Sequence, residues 1–476
     1  MAGGNWSPTD MPVLPGFYMN FMAAATASIQ QGARGTVVVP VKAHWGPVRE
    51  FVEITSESRI RDMYTDDESG GATAYTTLRF ALMGGAQKVL AYRLAADTAA
   101  TATLTLQGDS STDVLKLEAR YPGARGNNFK ITVQTSLVDS TKKDIKLYDG
   151  TTLLRTFTFA ENKAAEVING DSENKWIVAT KMADGVLADV SSVPMIGGDS
   201  GITGVTNADY MAALDAIEAQ EFNVTTLDGI SEAALRASVV SWVSRVRDAG
   251  KGIVAVLGGS TADDTAADAV TKAINKSAQV NHEGIVNVGT GAVLNGVRYS
   301  SAQVAAFVAG LIAGTPLSAA TTYAGTPFED VTRRWTRTEQ EQAVRNGVFL
   351  LIHDGRQVKV LRGVNSLISL RQGQSNAWKK IRTISVMDSV NLDLQRTAED
   401  SYIGKVNNTE EGRLALIGAC KEYLRTLANA GVIESTGYDV YLDPDYPNPD
   451  PDQVFLKWEA RLTDVMEQIF GTFIVK

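Results

Sequence analysis

Apolar and polar positions along this chain follow two periods, and the switches between them mark its elements. "GTVVVPVKAHW" (Gly35 to Trp45) is a strand run, followed by two helical patterns, near Ser56 to Tyr64 and from Thr73 to Met83, and by the strand run "QKVLAYRLA". From about Ala99 to Ile196 the texture becomes short Thr- and Val-rich runs broken by turns such as "YDGTTLL" and "YPGARGNN". That pattern predicts an inserted β-rich domain, edged by the small polar runs "AADTAATAT" and "MIGGDSGITG".

Beyond the insertion, helices and strands alternate. A helix starts at Thr206, with Asp209 placed for a capping box and Tyr210, Leu214 and Ile217 on one face. The strand "EFNVTTLDG" leads to a helix capped by Ser231, striped by Leu235, Val239, Trp242 and Val246 and stopped at Gly250. Then come the strand "GIVAVLGG", a helical stretch over about Thr265 to Ala278, the strand "GIVNVG" and a helix carrying Val304, Phe307, Val308 and Leu311. This order implies an α/β layer with parallel strand pairs. "NGVFLLIHDGRQVKVLRG" holds two β runs around Asp354-Gly355, a hairpin signal. Ala377 to Glu399 permits helix, and Asn408 and Glu411 open a long helix striped by Leu416, Cys420, Tyr423 and Leu427 and ended by Gly431. The strand "YDVYL", the loop "DPDYPNPDPD" and two final strands follow; the second, "IFGTFIVK", is apolar on both faces. At the other end, Pro8, Pro12, Pro15 and Gly16 prevent a helix, so residues 1–16 read as an arm. The expected fold class is α/β and α+β, multidomain: an α/β core with an inserted β-rich domain and extended N- and C-terminal arms.

Composition narrows the functional classes. A chain of 476 residues has room for about three domains, and 44% hydrophobic with 21% charged residues is a globular profile. The net charge of −9, with no basic block, argues against nucleic acid as a direct partner. "MAGGNWSPTDMP" has neither a charged n-region nor an apolar h-region, so no secretory leader is expected, and no apolar run approaches a membrane span. One cysteine, Cys420, excludes an internal disulfide framework and suits a reducing cytosol.

Candidate chemistry is thin. "GDSG" (Gly198 to Gly201) matches the string around a serine-protease nucleophile, but it lies among turn formers, and the histidines number only three, His44, His282 and His353. It reads as a linker. "VLGGSTADD" sits where an α/β protein binds phosphate, yet has no Lys and no G-x-G-x-x-G; it reads as a turn with Ser260 or Thr261 capping a helix. Asp443, Asp445, Asp450 and Asp452 lack the glycine and glutamate of a calcium loop and read as a solvated surface loop. The histidines have no ligand at metal spacing, and Cys420 lies on an apolar stripe. No catalytic residue, metal site or cofactor is expected.

The blocks "PGFYMNF", "GARGTVVVPVKAHWGPV", "TPLSAATTYAG", "RNGVFLLIHDGRQVKVLRGVNSL", "RTISVMDSVNLDLQRTAED", "GRLALIGACKEYLRTLANAGVIE" and "MEQIFGTFIVK" together resemble the tail sheath proteins of contractile-tailed bacteriophages and related phage-tail-like particles. The resemblance is strongest from Pro15 to Leu94 and from Thr315 onward. It implies a sleeve of stacked hexameric rings around an inner tube, whose contraction drives the tube through a cell envelope. It also implies arms that add strands to a sheet in another subunit's C-terminal domain. On this reading 1–16 is a linking arm carrying Pro12, Val13 and Leu14, 17–98 the first part of the sheath core, and 99–196 an outer domain. Residues 197–345 are the α/β part of the core, 346–462 an inner domain and 463–476 a linking strand carrying Ile469, Phe470, Phe473, Ile474 and Val475. Arg413, Lys421 and Arg425 on the long helix are the candidate tube-facing residues. The implied partners are other copies of the chain, a tail tube protein, and baseplate and tail terminator proteins. The implied location is a virion tail or phage-tail-like particle assembled in the bacterial host cytoplasm. A cytosolic α/β enzyme and a tail tube protein are the rival readings.

Overall fold

The computed structural model describes Ile29, Gly32 and residues 34–475, together with two short parallel strands, β1 (Gly3–Gly4) and β2 (Phe17–Tyr18). Pro12, Val13 and Leu14 of the expected N-terminal arm lie outside the described residues. The chain forms two compact units, one of Met1–Gly32 with Ser389–Asp464 and one of Ala33–Asp388 with Val465–Lys476.

The larger unit is built on a strand buried on both faces. In β3 (Thr36–Lys42), Val37, Val39 and Val41 enter one hydrophobic core while Val38 enters the other, the two-sided burial of a central strand in an α/β sheet. After β4 (Phe51–Ile54), helix α1 (Glu57–Tyr64) is capped by the Ser56 side chain, and α2 (Ala74–Gly84) leads to β5 (Lys88–Leu94), parallel to β3.

An insertion follows: β6 (Thr103–Gln107), β7 (Asp113–Ala119), β8 (Phe129–Thr135), β9 (Lys143–Asp149), β10 (Thr152–Phe159), the short helix α3 (Ala164–Gly170), β11 (Ile177–Lys181) and β12 (Val190–Pro194). A four-stranded sheet, β10-β9-β8-β12, and a three-stranded sheet, β11-β7-β6, share a core of Leu117, Ile131, Ile145, Phe157 and Ile168. The strands alternate inward and outward, as sheets with one wet face do.

The α/β alternation then resumes with α4 (Asn207–Glu218), opened by the Thr206/Asp209 capping box, β13 (Val224–Thr226), α5 (Ala233–Asp248) and β14 (Val254–Leu257). Leu235, Val239, Trp242 and Val246 of α5 are all buried. Its cap position is Glu232 instead of Ser231, and no side chain caps it. The helix expected over about 265–278 forms as α7 (Ala269–Val280), and a separate short helix, α6 (Thr261–Thr265), precedes it across an extended Ala266 whose carbonyl accepts from Arg333 at 3.1 Å. Next come β15 (Ile285–Val288) and a hairpin of β16 (Ala292–Leu294) and β17 (Val297–Tyr299). Its two turn residues, Asn295 and Gly296, have φ of 52° and 73°, the conformation this pair favours. Helix α8 (Ser301–Gly314) opens on a Ser300/Gln303 capping box. It packs so closely on α2 that a Cβ at Gly84 or Gly310 would overlap the opposing backbone.

After β18 (Asp330–Val331) and α9 (Arg337–Arg345), the run "GVFLLIH" divides. β19 (Val348–Phe349) joins the large sheet, while β20 (Leu351–His353) turns back onto β21 (Val358–Val360). The large sheet thus runs β19-β15-β14-β13-β3-β5-β4, with only β4 antiparallel. Helices α2 and α8 fill the core on one face, α4 and α5 that on the other.

The division into units falls inside α10 (Ile381–Thr397). In the smaller unit, α11 (Glu410–Asn429) is capped by Thr409, one residue past the expected Asn408. It buries Cys420, Tyr423 and Leu427 and half-buries Leu416. The Tyr423 hydroxyl donates to Asp393 at 2.7 Å, and Asp393 also accepts from the Gly32 N–H at 2.8 Å. A hairpin-like pair, β22 (Asp439–Leu442) and β23 (Leu456–Glu459), completes the regular structure. The second of the two final strands expected from the sequence is not formed among the described residues: 469–475 belongs to no strand there.

Candidate assembly surface

The places where an α/β protein usually holds a ligand are filled by the chain's own groups. At the carboxyl ends of β3 and β13, where strand order reverses, Asp228 accepts from Thr73 at 2.6 Å and Tyr210 at 2.7 Å, with the Lys42 ammonium 3.7 Å away. In the turn after β14, Ser260 caps α6, and a Cβ at Gly258 would overlap the first residues of α8. Asp264 accepts from the Ser301 N–H at 2.5 Å and hydroxyl at 2.7 Å. Burial pushes its carboxyl up to about 6 against those hydrogen bonds.

"GDSG" does acquire a histidine. Ser200 and His44, 156 residues apart, lie 2.8 Å from each other through Oγ and Nδ1. His44 Nε2 faces the Ser69 carbonyl at 2.9 Å, which assigns the proton to that nitrogen and makes Nδ1 the acceptor of the serine hydroxyl. Ser200 also accepts from the Ala124 N–H at 2.9 Å. Both side chains are buried, and the pair stands at the neck where the insertion leaves the core. There the fully buried Arg93 donates to the carbonyls of Gly46 at 2.6 Å, Pro122 at 2.7 Å and Ser200 at 3.3 Å. Burial pulls its guanidinium down to about 10. Trp45 seals the neck edge-on against Phe129 and Tyr121, each 5.3 Å away. The arrangement fastens a domain; sequence reasoning missed it because nothing local links His44 to Ser200.

The Asp/Pro loop is partly neutralised by Lys457, 3.9 Å from Asp443 and 3.2 Å from Asp445. Among the described residues, no three His, Cys, Asp or Glu side chains are placed to hold a metal ion, and no helix is long and apolar enough to cross a membrane. Burial pushes the Cys420 thiol up to about 12.

Of the candidate tube-facing residues, Arg413 donates to Asn408 at 3.0 Å, Lys421 pairs with Asp439 at 2.6 Å and Arg425 with Glu422 at 2.6 Å. The two ion pairs are exposed and so weak, but they leave α11 with a charge-matched face instead of a bare positive one.

The C-terminal segment has a different character. Phe470 is 89% exposed and Phe473 90%, and Ile469, Ile474 and Val475 stand equally free of their own chain. Five large apolar side chains in seven residues form an exposed patch of the kind that marks interaction sites. Just before them, Glu467 is held: it accepts from Thr322 at 2.8 Å and Arg362 at 2.8 Å, with the Lys380 ammonium at 3.1 Å. Burial pushes its carboxyl up, but those three donors outweigh burial and leave it below the ordinary carboxylate value.

Comparison with known proteins gives a consistent picture. Family models of phage tail sheath proteins match the chain in three successive parts, a β-sandwich domain over 95–200, a central domain over 203–366 and a C-terminal domain over 373–476. A Bacillus subtilis protein, YqbK, is 30% identical over 414 residues, covering 83% of this chain and 81% of its own. Among solved structures, a sheath tail protein from Desulfitobacterium hafniense superposes with a TM-score of 0.74 at 27% identity, covering 95% of this chain and 98% of that one. The anti-feeding prophage helical sheath in its contracted state shares the fold, with a TM-score of 0.57 at 12% identity over 98% of this chain and all of that one.

Proposed function

Because the chain belongs to the phage tail sheath protein family and is a structural component of a contractile tail or tail-like particle, we propose that it polymerises as stacked hexameric rings around a tail tube and contracts to drive the tube through a cell envelope. The observation that carries this reading is the C-terminal segment 469–475, apolar, exposed and in no strand among the described residues. In the assembly, Ile469, Phe470, Phe473, Ile474 and Val475 form a strand on a sheet of another copy, a β-augmentation contact. The two-stranded β22–β23 pair is the acceptor: a two-stranded pair is marginal alone, and among the described residues no third strand joins it. Residues 1–16, with Pro12, Val13 and Leu14, serve as the second arm.

Such a head-to-tail contact does not close on itself and therefore generates a helical filament. Extended and contracted sheaths are then two packings of the same folded subunits, linked throughout by the arms. Energy is stored when the extended form assembles, so no cofactor, nucleotide or catalytic residue takes part. The insertion lies on the outer surface, α11 faces the tube, and baseplate and tail terminator proteins bound the ends of the sleeve. Electron microscopy of the purified protein tests the proposal. Hollow contractile sleeves support it, whereas small closed particles would point to an α/β enzyme and thin rigid tubes to a tube protein, and either would overturn it.

A further inference from the structure

Among residues 466–475, Glu467 alone is not exposed, and its side chain is only 9% accessible between neighbours that stand in solvent. Its socket is assembled from three separate parts of the larger unit. Thr322 follows α8, Arg362 follows β21 and Lys380 precedes α10. The Thr322 hydroxyl is itself oriented, since it accepts from the Gly363 N–H at 3.0 Å and has its proton left for Glu467. Arg362 donates through both Nε at 3.1 Å and Nη2 at 2.8 Å to one carboxylate oxygen. Tyr323 and Ala324 are stitched to Val360 by backbone bonds of 3.0 and 2.9 Å, which tie the segments carrying Thr322 and Arg362 together independently of Glu467.

We propose that Glu467 in this socket is the root clamp of the intersubunit linker: it fastens to its own subunit the strand that the same chain shares with a second copy. The proposal rests on the reading of residues 469–475 as that strand. A strand rooted at Glu467 and extended to Val475 reaches roughly 26 Å, which bounds how far away the acceptor edge lies. Without the clamp, the preceding residues also become free and must be ordered each time the strand pairs. A charge-assisted, mostly enclosed contact suits a point through which tension passes from one subunit to the next.

Two measurements test the clamp separately from the linker. Glutamyl endopeptidase must draw Glu467 out of its socket, so cleavage after Glu467 in unassembled protein reports the open population. Arg362→Gln is expected to raise that cleavage rate tenfold or more, Arg362→Lys to restore most of the protection, and the melting temperature to stay unchanged in both. In assembly, Glu467→Gln is expected to raise the protein concentration needed for sleeves about tenfold, whereas truncation after Gln468 abolishes sleeves. Equal cleavage in wild type and Arg362→Gln overturns the clamp. Wild-type assembly of Glu467→Gln beside a truncation that fails also overturns the clamp but spares the linker, and a truncation that assembles normally overturns both.

Discussion

Replacing Phe473 by Asp separates a strand shared between copies from one that closes its own subunit. In the single chain Phe473 is 90% exposed, so the substitution removes almost no burial from the monomer and its melting temperature is expected to move by no more than about 1 °C. In the proposed assembly the same ring is covered by another copy. Losing it there costs about 1.5–3 kcal/mol, and leaving a carboxylate without a partner costs at least another ~2 kcal/mol. A combined loss of about 4 kcal/mol per contact is roughly a 10³-fold weaker interaction. The critical concentration for polymerisation, measured by sedimentation of sleeves over a dilution series, is expected to rise by that factor, which amounts to no visible assembly at ordinary concentrations. A fall of several degrees in the monomer's melting temperature would show that the strand belongs to its own chain. Assembly at the wild-type concentration would show that the residue is not covered at all.

Replacing 99–196 by a short Gly/Ser bridge is expected to leave polymerisation intact if Trp45, which would otherwise lose its packing against Phe129 and Tyr121, is changed to Gln in the same variant; loss of sleeves from a folded variant would refute the outer placement. Arg413→Glu with Arg425→Glu is expected to weaken tube-templated assembly without lowering the melting temperature, and unchanged co-sedimentation with tubes across a salt series removes α11 from the interface. Asp264 has a folded value of about 6 against an ordinary 3.8, so the stability it confers is greatest below the ordinary value and is lost as pH rises through 6. Urea unfolding of wild type is therefore expected to lose about 3 kcal/mol between pH 3.5 and 7 relative to Asp264→Asn, and parallel pH profiles would contradict the buried carboxyl.

Elements specified by local chemistry were legible in the sequence. The Thr206/Asp209 box, the Ser260 cap and the stripe of Leu235, Val239, Trp242 and Val246 are each set by neighbours within one or a few turns, and each stands where the pattern placed it. The α/β layer and the β-rich insertion were legible for the same reason, because the apolar period and turn residues select strand or helix before any distant contact forms. What the tertiary structure decided depends on groups far apart in the chain. Arg333 reaches the Ala266 carbonyl between α6 and α7 from 67 positions away, and Ser200 meets His44 only once the insertion is seated on the core. "GVFLLIH" divides between two sheets because β15 offers an edge to Val348 and Phe349 while β21 offers one to Leu351. The terminal segment shows the limit most directly: its apolar pattern is written in the sequence, but a strand exists only when a neighbour supplies the other half of its hydrogen bonds, and among the described residues 469–475 joins no sheet.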